Sequence, residues 1–477
     1  MTRPPLDLPA ACRRYVTVSV LFWLPLGLAI SPLVLLFTER GMALVAITAF
    51  FAAHSLSAAV LELPTGGLSD VVGRRRVLAA AGLLNLAALT LVALGTTPWA
   101  LALGMTLMGA GRALSSGPAE AWFVDTVQAH SGPGAELRTG LARGSSATSA
   151  ALAAGTLLGG GLPWLFGLAP GLGTWLGEST SGLVLPLSLP LLLGAAVEVV
   201  FVLYVLTALP EPPRPPATLR GVIRDVPVTV IAGLRLAGRD ALVRRVLLSA
   251  AAAGAALATL ELLTPGRAAG LTGTSESGAV LFAGLACAGF VCSALGSHFA
   301  PFVARLAGSG ERAVTTSLGI SAGGLLLLAA TVAATSPVAL SLAAAGYVLV
   351  YFGLGSAGPS ENDLLHRRVA GSGRATALSA QSLALQLTAA LAGLAVGILP
   401  AGPLPWLLGG TALLAGALLW TRRRNEPVPP AGEKARPATT PEPAPLPEPA
   451  TAPQAQHVPP SPVAAPAGQR REEGPSS

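Results

Sequence analysis

The chain has few charged residues and few aromatic ones. Of its 477 residues, 11% are charged and 5% are aromatic, whereas 52% are hydrophobic and the mean hydropathy is +0.64. Soluble globular domains carry about 25% charged residues, so this composition argues strongly against a soluble enzyme. The apolar residues come in blocks of about 20, the length that a helix needs to cross a hydrocarbon core of roughly 30 Å. The sequence therefore predicts an all-α integral membrane protein.

Cysteine and lysine are also scarce, and this excludes several kinds of site. Cys12, Cys287 and Cys292 form neither a set of paired half-cystines nor a metal-ligand pattern. Lys434 is the single lysine, and no phosphate-binding G-x-x-x-x-G-K-S/T segment occurs. ATP-driven transport by this chain alone is therefore excluded. Histidines and cysteines do not cluster, so the sequence predicts no metal and no cofactor.

Twelve apolar blocks lie between charged or Gly/Pro-rich breaks, and we expect a transmembrane helix in each. Their predicted bounds are 15–37, 42–66, 77–95, 99–124, 144–163, 183–208, 246–265, 278–299, 315–335, 338–360, 375–399 and 404–421. The first block follows Arg13 and Arg14 and is too long for the core of a signal peptide. We therefore expect it to remain as a membrane span.

The basic residues predict the orientation, because Lys and Arg are retained on the cytoplasmic side of the membrane. The net charge is +7, but the arginines lie between apolar blocks and not on one amphipathic face, which argues against nucleic-acid binding. With the N-terminus inside, the outer loops 38–41 and 266–277 hold only Arg40 and Arg267, and only Arg112 falls within a span. Both termini are thus predicted to be cytoplasmic.

The chain divides into four predicted segments. Residues 1–209 and residues 246–421 are each predicted to form a six-helix bundle. Between them, residues 210–245 are first proline-rich and then basic and partly amphipathic, which predicts a cytoplasmic linker with a helix on the membrane surface. Residues 422–477 are rich in Pro, Ala and Glu and are predicted to be a disordered cytoplasmic tail.

A short internal repeat favours two related bundles. Gly117-Pro-Ala-Glu120, near the end of the fourth predicted span, recurs as Gly358-Pro-Ser-Glu361 near the end of the tenth. A four-residue match can arise by chance in a chain with 56 glycines, but the equivalent positions weaken that explanation. Repeated halves are typical of secondary transporters, in which one bundle moves against the other around a central site. The expected fold is twelve transmembrane helices in two pseudo-symmetric six-helix bundles.

The most specific motif lies between the second and third predicted spans, where residues 66–76 read GGLSDVVGRRR. This segment resembles the signature G-x-L-a-D-r-x-G-r-r/k of the major facilitator superfamily, with Val71 in place of the usual basic residue. The matching positions are Gly66, Leu68, Asp70, Gly73, Arg74 and Arg75. Glycine permits a tight turn, and the arginine fork can bind a carboxylate. The alternative is that the arginines only anchor a loop on the cytoplasmic side.

The resemblance implies that this loop is a cytoplasmic latch that holds the outward-open state. Members of the family place a carboxylate partner for the motif's arginine at the inner end of the fourth span, where this chain has Asp125. We therefore expect Arg74 to pair with Asp125. Asp70 is expected to accept hydrogen bonds from a neighbouring helix N-terminus.

A second resemblance lies in the fifth predicted span. Residues 151–160 read ALAAGTLLGG, which is similar to the antiporter signature g-x-x-x-G-P-x-x-G-G of the same family, with Thr156 in place of the proline. Small residues at this spacing let two helices pack backbone to backbone. Packing alone explains Gly155, Gly159 and Gly160 at least as well as antiport does.

Few ionisable side chains lie within the predicted spans, where a charge is costly and usually faces a cavity or a partner. They are His54, Glu62, Arg112, Glu120, Glu198 and Glu261. Arg112 resembles the arginine that many proton-coupled drug exporters of the family carry in the fourth span, and its alternative role is a structural ion pair with Glu198 or Glu120. On one helix, Arg112 and Glu120 are rotated by about 80°, so one cavity could reach both.

We predict that Glu62, Arg112, Glu120 and Glu261 form a proton and substrate pathway. A carboxylate that approaches and leaves an arginine would bind and release a proton, which couples the proton to a conformational change. The predicted activity is proton-coupled export of a small organic molecule by a monomer in the bacterial inner membrane, with the lipid bilayer as its surroundings. Uptake by symport and a non-transporting sensor derived from a transporter remain open. An intramembrane enzyme would need a catalytic dyad, and the sequence indicates none.

Overall fold

The computed structural model of the protein describes residues 7–132, 135–211, 231, 233, 235–369 and 372–421. Every regular element in these residues is helical. The first half contains α1 (Leu8–Ile30), α2 (Leu33–Glu39), α3 (Leu44–Val72), α4 (Arg74–Leu94), α5 (Pro98–Ser115), α6 (Pro118–Ser131), α7 (Arg138–Gly167), α8 (Pro170–Ser179), a 3₁₀ turn (Pro186–Ser188) and α9 (Leu189–Ala208). The second half contains α10 (Ala241–Thr272), α11 (Ser275–Ala307), α12 (Gly310–Ala330), α13 (Pro337–Arg368), α14 (Ser372–Ile398) and α15 (Pro403–Thr421).

The predicted spans correspond closely to these helices. In the described part of the chain, eleven helices are long and apolar enough to cross a membrane. The predicted fourth span, 99–124, is instead divided between α5 and α6. The division occurs at Gly117, whose φ of 92° lies in a region that residues with a Cβ rarely adopt. The all-helical, multi-pass membrane fold is confirmed.

Three predicted boundaries were wrong. The first span was expected to run to residue 37, but α1 ends at Ile30, because Pro32 has no N–H to continue the helical hydrogen bonds. The predicted outer loop at 266–277 is reduced to residues 273–274, because α10 continues through Pro265 to Thr272. The second span continues to Val72. The helix predicted in the linker and the disordered tail lie largely outside the described residues.

In the described residues, one buried cluster joins buried side chains of both halves, and it lies at one end of the fold. We call the end that carries the start of α4 and the end of α13 the basic end, and the other end the opposite end. At the opposite end, Leu262 and Val396 join a buried cluster with Phe37 and Phe50 of the first half. At the basic end, the described buried clusters belong to one half each: one surrounds Trp122, and the other contains Val243 and Leu365.

The two arginines predicted in outer loops play equivalent structural parts in the two halves. Arg40 follows α2 and donates hydrogen bonds from Nη2 to the carbonyl oxygens of Ala93 (2.5 Å), near the end of α4, and Leu183 (2.9 Å). Arg267 donates to the carbonyl oxygens of Leu328 (3.3 Å) and Thr331 (2.6 Å), at the end of α12. A cation stabilises the C-terminal end of a helix, where carbonyl groups lack helical partners. Each arginine therefore caps the third membrane span of its half.

We expect Arg40→Met and Arg267→Met each to lower the free energy of unfolding by about 1–3 kcal/mol, because buried carbonyl groups lose their donors. The unfolding temperature of the detergent-purified protein measures this effect. Arg143→Met is the matched control, since Arg143 is exposed on α7. Equal unfolding temperatures for all three variants would contradict the capping role.

Candidate functional site

The segment predicted as a latch loop is mostly helical. α3 continues to Val72, so the turn into α4 consists of Gly73 alone, with φ 107° and ψ 141°. The prediction of a loop was wrong because a glycine inside a helix costs only about 1 kcal/mol, which the neighbouring apolar turns of α3 offset. The side chain of Asp70 and the surroundings of Gly66 lie outside the described residues.

Arg74, the first residue of α4, meets Asp125 of α6. Arg74 Nη1 lies 2.5 Å from Asp125 Oδ2, and the two side chains are 14% and 35% exposed. Exposed ion pairs contribute little because water and salt screen them, whereas this pair is partly withdrawn from solvent. The contact joins the start of the third span to the helix that ends the fourth. Its action as a latch stays a prediction.

The sequence analysis missed the carboxylate that caps α4. The backbone N–H groups of Arg74 and Arg75 donate to Oε1 and Oε2 of Glu211, at 2.9 and 3.3 Å. A carboxylate at this place satisfies N–H groups that have no helical partner and complements the helix dipole. Glu211 follows the end of α9, and Trp122 of α6 donates to the neighbouring carbonyl of Pro210 at 2.8 Å. Helix α6 and the segment that follows α9 thus converge at the start of α4.

A comparable contact occurs at the basic end of the second half. Asp240 caps α10 by accepting from the N–H groups of Leu242 and Val243, and Arg368 Nε donates to its Oδ2 at 2.7 Å. Burial alone would raise the pKa of Asp240, but the hydrogen bonds from Arg368 and the two amides hold it below its usual value. The carboxylate therefore stays ionised and ties the end of α13 to the start of α10.

Two ionisable groups of different halves lie near each other. Arg112 of α5 lies within electrostatic range of Glu261 on α10 and of His54 on α3. The side chains of Arg112 and Glu261 are both exposed. The structure therefore brings together two of the four predicted pathway residues, one from each half. Nothing in the sequence spacing gives this pairing, because the two residues lie on different halves.

Glu62 also reaches across the two halves. Both of its carboxylate oxygens lie within hydrogen-bond distance of the Ser382 hydroxyl on α14, at 2.9 and 2.7 Å. Hydrogen bonds to an ionised carboxylate are stronger than neutral ones. Ser382 was missed in the sequence because a serine in a helix has no distinguishing pattern.

Glu120 is separate from this central group. The expectation that Arg112 and Glu120 share one helix was wrong, because the break at Gly117 puts Arg112 on α5 and Glu120 on α6. The 80° relation on a single helix therefore does not apply. Glu198 does not pair with Arg112 either: it is fully buried and accepts a hydrogen bond from Asn85 Nδ2 at 3.1 Å.

Glu120 lines a cavity of about 290 Å³ in the first half. The cavity lies between α1, the junction of α5 and α6, and α7, towards the basic end. Its lining residues are Tyr15, Val18, Ser19, Phe22, Trp23, Leu78, Ser115, Ser116, Gly117, Ala119, Glu120, Ser145, Thr148 and Ser149. Six of these carry aliphatic hydroxyl groups, which the sequence analysis did not single out.

The glycines of the antiporter-like motif serve two different contacts. A Cβ at Gly155 would lie 2.6 Å from the carbonyl oxygen of Leu24, and Gly159 meets the backbone of Leu28, so both face α1. A Cβ at Gly160 would lie 2.5 Å from the carbonyl oxygen of Ala279, on α11. α7 therefore packs backbone to backbone against α1 of its own half through Gly155 and Gly159. Through Gly160 it packs against α11 of the other half.

The internal repeat is not symmetric in structure. Around Glu361 the helix α13 continues through Pro359, and Glu361 is buried with a hydrogen bond to Ser249. Ser249 also accepts a hydrogen bond from Trp420 Nε1 at 2.8 Å. Glu120, its counterpart, is exposed. The sequence repeat thus marks a polar packing contact in the second half and a cavity in the first.

The family of the chain follows from its sequence over most of its length. Residues 16–393 match the model of the Major Facilitator Superfamily. The chain belongs to this superfamily. No curated protein sequence matches it. The multi-pass membrane architecture described above is that of a major facilitator transporter.

Solved transporter structures have similar folds. A mutant of the nucleoside transporter NupG is 14% identical, with a TM-score of 0.66, and the match covers 86% of this chain and 99% of that one. A bacterial homolog of the human lysosomal transporter Spinster, in an inward-facing and unoccupied conformation, is 14% identical, with a TM-score of 0.62 and coverage of 88% and 96%. A D-xylose–proton symporter is 14% identical, with a TM-score of 0.62 and coverage of 87% and 96%. At this identity the likeness is one of fold.

Proposed function

We propose that this major facilitator transporter exports a small organic molecule in exchange for protons, by alternating access between the halves 1–209 and 246–421. The protein acts as a monomer in the bacterial inner membrane. Its basic end faces the cytoplasm, and the latch of Arg74 and Asp125 holds the outward-open state. Binding of substrate or proton shifts the equilibrium between two conformations by its difference in affinity for them.

The observation that carries the proposal is the contact of Glu62 with Ser382. A carboxylate in the membrane region joins α3 of the first half to α14 of the second. Protonation removes the charge that strengthens this contact, so the proton on Glu62 and the separation of the halves are linked. Linkage of this kind is reciprocal: a change that separates the halves also changes proton affinity.

The charges near the middle of the bundle support the same mechanism. Burial disfavours the ionised form of a carboxylate, and a nearby arginine favours it; Glu261 lies within electrostatic range of Arg112 in this conformation. When the halves move apart, Glu261 loses this stabilisation. Glu62, Arg112 and Glu261 therefore form the proton-responsive group, and Glu120 belongs to a separate cavity.

Uptake by symport is the second candidate. The fold similarity to a D-xylose–proton symporter and to the nucleoside transporter NupG favours it. In symport the proton and the substrate move in the same direction, and the residues proposed above would have the same parts. The two candidates differ in the direction of proton movement.

Proteoliposomes that contain a trapped pH-sensitive dye distinguish these candidates. Organic cations, nucleosides and pentoses are added outside, one at a time. Substrate that enters by antiport expels protons and raises the internal pH, whereas entry by symport lowers it. This sign does not depend on the orientation of the protein in the vesicle. We expect a rise, with a smaller one in Glu62→Gln. A fall in internal pH would contradict antiport and favour symport. An internal pH that does not change with any compound would contradict both candidates.

The orientation is testable on its own. We expect both termini in the cytoplasm, since basic residues are retained there. A single cysteine placed in the 422–477 tail should resist an impermeant thiol reagent in whole cells, and one at Gly41 should react with it. The background for these variants lacks Cys12, Cys287 and Cys292. Labelling of the tail in intact cells would overturn the orientation.

A further inference from the structure

We propose that the cavity beside Glu120 binds a small organic cation that also carries a hydrogen-bond donor. This rests on the proposed function, since the cavity would be the substrate site of the exporter. It names the class of substrate that the sequence left open.

The charge of the cavity is the first reason. Among the described residues that line it, Glu120 is the one with a formal charge. Glu120 is exposed to the cavity, and no described residue forms an ion pair or hydrogen bond with it. Arg112 lies on the other side of the break at Gly117 and is absent from the lining. A cationic ligand would complement this single charge.

The hydroxyl groups of the lining are the second reason. Ser19, Ser115, Ser116 and Ser149 each donate to a carbonyl oxygen of their own helix, at 2.8 to 3.2 Å. A hydroxyl that has used its hydrogen in this way keeps two lone pairs as acceptors. These four hydroxyls therefore present acceptors to the cavity, and together with Glu120 they suit a ligand that donates hydrogen bonds.

The aromatic rings are the third reason. Trp23 and Phe22 line the cavity with their rings nearly perpendicular to each other, and Tyr15 lies within electrostatic range of Glu120. The face of an indole ring attracts a cation, and this attraction strengthens when water is excluded. A cavity lined by both a carboxylate and an indole ring is therefore suited to an ammonium group. The apolar edges of the same rings and Val18 would contact the carbon atoms of the ligand.

The experiment compares two probes of the same shape that differ in charge. Choline carries a quaternary ammonium and a hydroxyl donor, and 3,3-dimethylbutan-1-ol is its uncharged carbon isostere. Calorimetric titration of the detergent-purified full chain measures both affinities without a pH gradient. We expect choline to bind roughly tenfold more tightly or better, from the cation–π and carboxylate contacts. In Glu120→Gln the two affinities should become similar, while Glu178→Gln, which removes an exposed carboxylate of α8, should leave the ratio unchanged.

The outcomes separate this inference from the proposed function. The cation site would be contradicted if the wild type binds choline and the alcohol equally well, or if it binds neither. It would also be contradicted if Glu120→Gln keeps the wild-type ratio of the two affinities. If Glu120→Gln does not fold, Trp23→Leu serves in its place, and it should weaken choline more than the alcohol. If choline binds but does not change the internal pH of proteoliposomes, the binding site is supported and the proposed proton coupling is contradicted.

Discussion

Replacing Arg74 with alanine is expected to lower the transport rate by about tenfold or more while membrane insertion is retained. Arg74 and Asp125 are partly buried and lie 2.5 Å apart. Removing one partner leaves the other charge uncompensated, which costs a few kcal/mol, and about 1.4 kcal/mol already changes a two-state equilibrium tenfold. The pair lies within the first half, at the basic end, so we expect its loss to affect transport by changing the position of the start of α4.

A double-mutant cycle separates this pair from its surroundings. Arg74→Ala and Asp125→Ala together should cost little more than either change alone, since residues that interact do not act additively. Arg367→Ala is the matched control, because Arg367 pairs with Asp363 at 3.0 Å on the same end of the fold but both side chains are largely exposed. If Arg74→Ala transports at the wild-type rate, the latch role is contradicted, and the arginines of the motif serve only to keep this segment on the cytoplasmic side.

Gly155→Leu is expected to abolish folding of the first half. A side chain at this position would enter the backbone of α1 near Leu24 and Gly27, and neither helix can move without disturbing its other neighbours. Overpacking typically costs about 1–3 kcal/mol and occasionally more, and a leucine here adds four carbon atoms against backbone. The yield of monodisperse protein after purification, and its unfolding temperature, measure the effect.

The control lies six residues away on the same helix. Gly161 has no atom within 4 Å of the position of an added Cβ, so Gly161→Leu should change the free energy of unfolding by no more than about 0.5 kcal/mol. Gly160→Leu should fold but lose contact with α11, because its neighbour belongs to the other half. Similar losses in Gly155→Leu and Gly161→Leu would show that close helix approach is unimportant here.

The sequence predicted elements whose signal is local. Apolar blocks of about 20 residues mark the membrane helices, and the motif around Gly73 marks the start of α4. The break at Gly117 could have been found, since Gly-Pro is a strong turn signal, but the apolar residues on both sides favoured one long span. Near Gly66 the glycines favoured a loop, and this prediction was wrong because they lie within α3.

Contacts between distant segments could not be predicted from one sequence. Glu211 lies 137 residues from Arg74 and Ser382 lies 320 from Glu62, and neither has a pattern that names its partner. The pair of Arg74 and Asp125 was expected only through resemblance to the family. The acceptor-rich lining beside Glu120 depends on serines of three separate helices, which have a common role only after folding.

Distances between spin labels at the two ends of the fold test the central claim, that protonation within the membrane region controls the separation of the halves. One label pair is placed at Thr139 and Leu306, at the basic end, and another at Leu168 and Thr272, at the opposite end; all four side chains are exposed. In a cysteine-free background we predict that the two distances change in opposite directions between acidic and alkaline pH. Glu62→Gln should fix both near their acidic values, and Ser382→Ala should shift both partway, whereas Ser379→Ala should behave as wild type. Distances that ignore pH, or that keep their pH response in Glu62→Gln, would contradict the account.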